Sequence, residues 1–565
     1  MTMPPEGEYG PWNPGIRSQM PMELLHLATI FRSENVFTSI AHAVELRSLT
    51  GFSLSELVVF RPERLALHEL LIRVTADFAV PDGTRIGDLG LNFREIARLL
   101  LSRYLEPHMD SIVAAFERAR RDAKKIIDGA VSSLGRGWGL EQIAAFERSA
   151  TAAGDSTEAA AFKSVARTLS ALFATQGQAW GSSELIAAMA FDLTSNLAGS
   201  ECIGRALDPW LNQAVREQGY RLLPRQEQPV VINTKGPSAS GKSTLRPLLK
   251  KLAGDIGIEW SDFALISPDI WRKQLLDYSS LGSAYKYAGA FTSDELQIVD
   301  QKLDRYMANK HRRGQTSHLL IDRFRFDSFA PDSDEAGSNL LTRFGHSVYL
   351  FFMITPPEML VERAWTRGLE FGRYKAVDDT LAHAVEAYSG MPDVFFTWVR
   401  RSDKRMQFEF LDNTVRLGER PRTVAFGDNE TFNVLDVKGT LDIQRYARID
   451  EDAAAAEFLY ADKAMLAPEK NTKFLQRCVK AFRRVNFADQ ASGRVYLRIE
   501  SGKTVLKDTV AFASAIESPD TLAGIRAVAP DAFAASEPES QRAEYLSSSN
   551  AAAAPPTLGQ WGSLA

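Results

Sequence analysis

Through most of the first 220 positions, apolar residues recur at three- and four-residue spacing. In "NFREIARLLLSRYLEPHMDSIVAAFERARRDAKKIIDGA", from Asn92, charged residues fill the gaps, which is the mark of amphipathic helices. "GDSTEAAAFKSVARTLSALFA" repeats the period behind the cap-like pair Asp155/Ser156. Pro224 and Pro229 in "YRLLPRQEQP" break this pattern. From Val230 the chain alternates short apolar runs ("VVINT", "FALIS", "HLLID", "VYLFFMIT", "MQFEFLDN") with helical stretches. Near-continuous apolar strands separated by helices predict an α/β unit with a mainly parallel sheet covered on both faces. After "TFNVLDVKG" come a helix ("FLQRCVKAFRR") and a hairpin-like stretch ("GRVYLRIESGKTVLKDTVAFA"). The expected organisation is a large helical region (1–225), the α/β unit (226–440), a small α+β segment (441–535) and a Ser/Ala/Pro-rich tail (536–565) expected to be disordered.

Composition narrows the function classes. A chain of 565 residues, 45% hydrophobic and 24% charged, is globular and long enough for two or three domains. A formal charge of −5 argues against a general nucleic-acid surface, and the basic cluster Arg118, Arg120, Arg121, Lys124 and Lys125 reads as a solvated helix face. Two cysteines support neither a disulfide framework nor a cysteine-rich metal site. The opening "MTMPPEGEYGPWNPGI" lacks the basic and apolar regions of a secretory signal, and no apolar run reaches spanning length. The chain therefore reads as cytoplasmic, in its own cell or after delivery into another by a signal-independent route, with no membrane partner.

The chemistry concentrates at Gly236-Pro237-Ser238-Ala239-Ser240-Gly241-Lys242-Ser243, which matches G-x-x-x-x-G-K-[ST] between a strand-like run and a helix. Glycines let backbone N–H groups wrap phosphates at a helix start, with Thr244 completing the loop. Lys242 then reaches the β/γ-phosphates of ATP, and the Ser243 hydroxyl is placed to ligate Mg²⁺. "ESGKT" at Glu500 to Thr504 also contains Gly-Lys-Thr, but it joins two strand-like runs and lacks the first glycine. No guanine-reading "NKxD" motif and no transporter signature follows. Asp269, in "LISPDIWRKQ", lies just past the second predicted strand, where ligands bind in open α/β sheets. It suits either orientation and deprotonation of an acceptor hydroxyl or a helix N-cap. Asp322 ends "HLLID" as an apolar-run carboxylate of the metal-binding type. Arg323 and Arg325, directly after it, would add positive charge for an acceptor bearing its own phosphates.

In motif order, Val230 to Val437 resembles the zeta toxins and their polynucleotide-kinase-like relatives, including effector kinases that phosphorylate NAD. The resemblance implies a P-loop kinase fold and transfer of the ATP γ-phosphate, with Mg²⁺, to a sugar hydroxyl of a nucleotide-like small molecule such as a UDP-linked amino sugar or NAD. It also implies a toxin or effector role, with an antitoxin or chaperone as partner. Residue by residue it points to Asp269 as the catalytic carboxylate, with Arg272 beside it as a substrate-binding residue. Glu295 in "YAGAFTSDELQIVDQKL" stands as a substrate contact, and Arg363, with Arg367 or Arg373, as the lid arginines. The strand-end sequence Asp-Arg-Phe-Arg departs from the family's glutamate followed by small residues. A polynucleotide 5′-hydroxyl kinase and a nucleotide-gated binding module are the alternative readings.

Overall fold

The computed structural model describes residues 9–85, 87–135, 137–154, 156–323, 342–416, 418–534, 543–546 and 557–562. Asp155 and Arg325 lie outside these residues. Ser156 caps the helix Thr157–Gln176 by accepting from the Ala159 amide (3.1 Å). Among the described residues, no helix is long and apolar enough to cross a membrane.

The five apolar runs form β1 (Val230–Lys235), β2 (Phe263–Ile266), β3 (His318–Asp322), β4 (Ser347–Ile354) and β5 (Arg405–Asp412). They pair in parallel in the order β2-β3-β1-β4-β5. β1 is central, so the chain leaves it for neighbours on both sides, and its C-terminal edge lies at a topological switch point. The strands are almost wholly buried, as expected of a parallel sheet covered on both faces.

The sheet does not stop at β5. Antiparallel β6 (Arg422–Asp428) and β7 (Thr431–Val434) follow, then β8 (Arg484–Ala488), parallel to β7, and the hairpin β9 (Arg494–Glu500) and β10 (Lys503–Lys507). The expected separate α+β segment is thus an extension of one sheet. Phe395 joins the two parts, packing its ring 4.8 Å from Phe408 on β5 and 6.2 Å from Phe432 on β7. "ESGKT" is the β9–β10 turn, with Ser501 and Gly502 both at positive φ (49° and 80°), a hairpin geometry.

At its described residues, 543–546 and 557–562, the tail departs from the expectation of disorder. β11 (Glu544–Tyr545) pairs with β9, and Leu558 is 3% exposed in a core cluster with Leu245, Leu249 and Leu411. Composition predicts disorder there, but a few apolar side chains suffice to seat the peptide.

The helical region has core clusters of its own, one around Val165 and Leu169 and one around Leu46 and Leu57, and it also shares the main core with the sheet. Helix α1 (Pro62–Asp77) is buried along most of its length and shares one cluster with β1, β3 and Trp271. The 36-residue helix α2 (Ser183–Gln218) packs on it. On the sheet side lie α3 (Arg246–Asp255), which follows the P-loop, and α4 (Ser293–Arg312). Helices α5 (Pro357–Phe371) and α6 (Val377–Val399) follow β4, and Tyr388 of α6 ties itself to the strand end by donating to the Thr355 carbonyl (2.7 Å). The basic cluster on Met109–Ser132 sits as expected, with Arg118, Arg121, Lys124 and Lys125 exposed.

Candidate functional site

The P-loop turn is set by steric need. Gly236 (φ +152°) and Gly241 (φ +91°) hold conformations that side chains rarely adopt. A Cβ on Gly236 would lie 2.8 Å from that of Met353, and one on Gly241 would lie 2.3 Å from Nδ2 of Asn413. Ala239 enters the left-handed region as well (φ +64°), turning the loop back on itself. The Lys242 ammonium donates to the carbonyls of Gly236 (2.9 Å) and Pro237 (3.0 Å), so it already spans the loop. Burial lowers its pKa, while the carboxylates of Asp322 and Asp269 oppose that shift. The Thr244 hydroxyl turns away to the Gly241 carbonyl (2.6 Å).

Strand register brings the carboxylates to the same edge. Asp322 pairs with Thr234, two residues before Gly236, and its Oδ2 accepts from the Ser243 hydroxyl at 3.4 Å. Asp269 lies three residues beyond β2, on the turn Pro268–Trp271. Its Oδ1 accepts from Arg272 Nε (2.9 Å) and its Oδ2 from an Arg373 guanidinium nitrogen (2.8 Å). Its surroundings would raise the carboxyl's pKa, but Arg373 and Arg272 hold it well below the usual carboxylate range. Arg272 is fixed in turn by the Gly289 carbonyl (2.7 Å) and the Thr292 hydroxyl (2.8 Å). The helix-cap reading of Asp269 finds no support, because its oxygens go to arginines.

The lid arginines divide. Gly372 (φ +67°) ends α5 and turns Arg373 back towards Asp269. The Arg367 Nε is buried without a hydrogen-bond partner among the described residues. Burial and the neighbouring Arg373 pull its pKa down to about 10. Arg363, one turn earlier, is placed elsewhere than the sequence suggests. It donates to the carbonyls of Asn413 (2.8 Å) and Val415 (3.1 Å), bracing the loop after β5.

Two expected acceptor contacts are corrected. Arg323 is 3% exposed and clamped by Asp304 (2.7 Å) and Asp300 (2.5 Å) on α4, so its charge is neutralised inside the protein. Glu295 is fully buried and accepts from Arg64 twice (2.5 and 2.7 Å) and from His68 Nε2 (2.7 Å). It pins α4 to α1 and does not face the crevice.

Several residues of the site were not foreseen. Asn413 donates from its amide to the Ser240 carbonyl (2.7 Å), closing the P-loop from the neighbouring strand end. Its position directly after the apolar run of β5 is the signal that could have found it. Lys375, Asp379 and His383, spaced by four, form a polar cluster behind the lid, with Asp379 3.4 Å from Lys375 and 3.3 Å from His383. Burial lowers Lys375 to about 8, against the pull of Asp379. Tyr285 and Tyr374 meet edge-on (5.8 Å) across the lid, with the Lys286 ammonium 5.2 Å from the Tyr374 ring. The N-terminal segment closes on the same place: the Lys286 ammonium sits 3.9 Å over the Tyr9 ring, and the Ser18 amide donates to Asp378 (3.3 Å).

Arranged so, the edge holds an anion-wrapping loop with its lysine, a hydroxyl–carboxylate pair suited to a divalent cation, and an ionised carboxylate held by two arginines. These donors fit a magnesium–nucleotide polyphosphate. No protein-family model matches the chain, and no curated protein matches it. Among solved structures it is similar to the PezAT chromosomal toxin–antitoxin system of Streptococcus pneumoniae, at 18% identity over 37% of this chain and 76% of that one, with a TM-score of 0.25. It is also similar to the AvrRxo1-ORF1:-ORF2 complex, at 15% identity over 43% of this chain and 72% of that one, with a TM-score of 0.29. Neither similarity is high enough to assign function, which rests on the residues themselves.

Proposed function

We propose that this chain is a zeta-toxin-like kinase, moving the γ-phosphate of ATP to a sugar hydroxyl of a nucleotide-type small molecule, a UDP-linked amino sugar or NAD, as a toxin or effector. The observation that carries this is Asp269. It is an ionised carboxylate held by Arg272 and Arg373 at the same sheet edge as Lys242, Ser243 and Asp322.

The P-loop amides and Lys242 would bind the donor phosphates. Ser243 and Asp322 would hold Mg²⁺, whose positive charge offsets that of the phosphates. Asp269 would orient the acceptor hydroxyl and take its proton. With a pKa held low it is a weak base, which suits a loose transition state in which the proton leaves late. Arg367 and Arg373 would stabilise charge developing on the transferred group, and Arg367 lies among like charges that an anion would relieve. With Arg323 and Glu295 engaged elsewhere, the acceptor would enter between the Tyr285 wall and the Tyr374 lid.

The test is to incubate the purified chain with γ-labelled ATP and separate pools of UDP-sugars, dinucleotides and oligonucleotides. Label in the first or second pool, lost in Lys242→Ala, supports the reading. Label only in oligonucleotides would replace it with end-kinase activity, and label in none would reject phosphoryl transfer to these acceptors.

A further inference from the structure

Beside the loop that follows β5, a cavity of about 550 Å³ opens to the surface. Thr414, Val415 and Arg416 line it from the loop, Glu419 from the loop's return, and Gln560 from the C-terminal peptide. Its size is that of a small-molecule site. It begins one residue beyond Asn413, the residue whose amide closes the P-loop at Ser240. This cavity therefore adjoins the P-loop on the β5 side, within the reach of a nucleotide whose phosphates lie on that loop.

The C-terminal peptide is built into this wall. The Glu409 carboxylate, 1% exposed, accepts from the amides of Leu558 (2.6 Å) and Gly559 (2.9 Å). A Cβ on Gly559 would lie 2.4 Å from the Thr423 hydroxyl, so the peptide passes close over the sheet. The Gln560 backbone donates to the Pro421 carbonyl (2.7 Å) and accepts from the Thr423 amide (3.2 Å), while Trp561 packs 5.0 Å from Phe426. Gln560 is thus held on both sides. Its side chain is exposed and makes no hydrogen bond among the described residues. Arg420 and Arg422 are engaged, on the Thr557 carbonyl and on Asp412 respectively.

We propose that this cavity takes the base of the donor nucleotide and that Gln560, contributed by the far end of the chain, reads its edge. The inference rests on the ATP-dependent reading above. A glutamine amide offers one donor and one acceptor side by side, the complement of adenine N7 and the 6-amino group. Guanine presents two acceptors on that edge and pairs better with an arginine fork.

The experiment is a nucleotide titration followed by Trp561-region tryptophan fluorescence, with ATP and GTP, on the full chain and on Gln560→Ala and Gln560→Arg. Circular dichroism confirms that each variant folds. The expected result is that Gln560→Ala weakens ATP about tenfold with little change for GTP, and that Gln560→Arg shifts preference towards GTP. If wild type binds ATP and both variants keep its ATP-to-GTP ratio, the base-reading role is wrong while the kinase reading stands. If wild type binds neither nucleotide, the kinase reading fails and the inference falls with it.

Discussion

Replacing Glu295 with alanine separates a structural ion pair from a substrate contact. In the folded chain this carboxylate is fully buried and receives three hydrogen bonds, two from Arg64 and one from His68. Burial would raise its pKa, but Arg64 and His68 hold it well below the usual range, so it is ionised. His68 is pulled down to about 4 by burial and Lys302, hence neutral at pH 7, and donates through Nε2 while Nδ1 faces the Lys302 ammonium at 3.1 Å. Removing Glu295 leaves the Arg64 guanidinium, 11% exposed, with the Leu275 carbonyl as its one close partner among the described residues. Breaking such a buried pair from one side costs about 3–5 kcal/mol, because the remaining charge stays buried without compensation. The unfolding midpoint should fall by roughly 3–4 °C for a chain of this size.

The assay is thermal unfolding of Glu295→Ala, Arg64→Ala and the double variant, alongside kinetics with ATP and acceptor varied in turn. The double variant should be no worse than Glu295→Ala, since the orphaned charge is gone. Folded Glu295→Ala should keep the acceptor KM of wild type. A variant within about 0.5 kcal/mol of wild-type stability whose acceptor KM rises tenfold would refute the placement and restore Glu295 as a substrate contact.

Lys242→Ala should lower phosphoryl transfer more than 100-fold, from loss of about 3–4 kcal/mol of charge stabilisation, with unfolding unchanged; labelled-ATP transfer and a melting curve check both. Asp269→Asn should lower turnover while leaving ATP affinity near wild type, because the amide keeps the shape but takes no proton; binding and rate are measured separately. Arg373 holds the Asp269 carboxyl low, so the acid limb of kcat/KM should lie below the ordinary carboxylate range, and Arg373→Gln should move it to higher pH; an unmoved limb would detach that limb from Asp269. Glu409 is pushed up to about 7 by burial, only partly offset by the Leu558 and Gly559 amides and the Thr423 hydroxyl. Its folded-state pKa exceeds the ordinary 4.5, so its stabilisation is full below that value and is lost as pH rises towards 7. The melting midpoint should decline across this window in wild type and decline less in Glu409→Gln.

What the sequence shows and what it hides follow from the range of the interactions. Parallel strands buried on both faces must be apolar nearly throughout, so "VYLFFMIT" and "HLLID" declare themselves. The P-loop is legible because its glycines answer a local need, visible here as the close approaches of Met353 to Gly236 and of Asn413 to Gly241. β6 and β8 are less visible: "RTVAFGD" and "RVNFA" are short, polar at their ends and defined by neighbours far along the chain. Arg323 and Glu295 were misplaced for the same reason, since each is explained by a partner on another element. A spacing signal was present, because Asp300 and Asp304 lie four apart on α4, as do Arg64 and His68 on α1, each pair on one helix face. Average composition of the tail concealed Leu558, which is buried with its amide on Glu409, and Trp561, which packs on Phe426.

These long-range contacts enlarge the unit that the proposed function would require. Motif order alone marks off Val230 to Val437, yet each wall of the crevice leans on residues outside that span. Trp271, which follows Asp269 by two residues, is fully buried and donates to the Thr75 hydroxyl of α1 (3.1 Å). The P-loop helix α3 is tied by Lys250 to Asp82 (2.8 Å). The segment around Leu276 and Phe291, which carries the acceptor-side wall, packs on Leu24 and Leu27, and the lid helix α6 is tied by Asp378 to Ser18. Leu558 of the C-terminal peptide shares a core cluster with Leu245 and Leu249, which follow the P-loop. A parallel α/β core alone supplies the P-loop and both carboxylates, but their separation is fixed by the helices and termini packed around it. On the proposed function, the flanking regions would set the geometry on which phosphoryl transfer depends, where misplacement of about 1 Å costs on the order of 100-fold in rate.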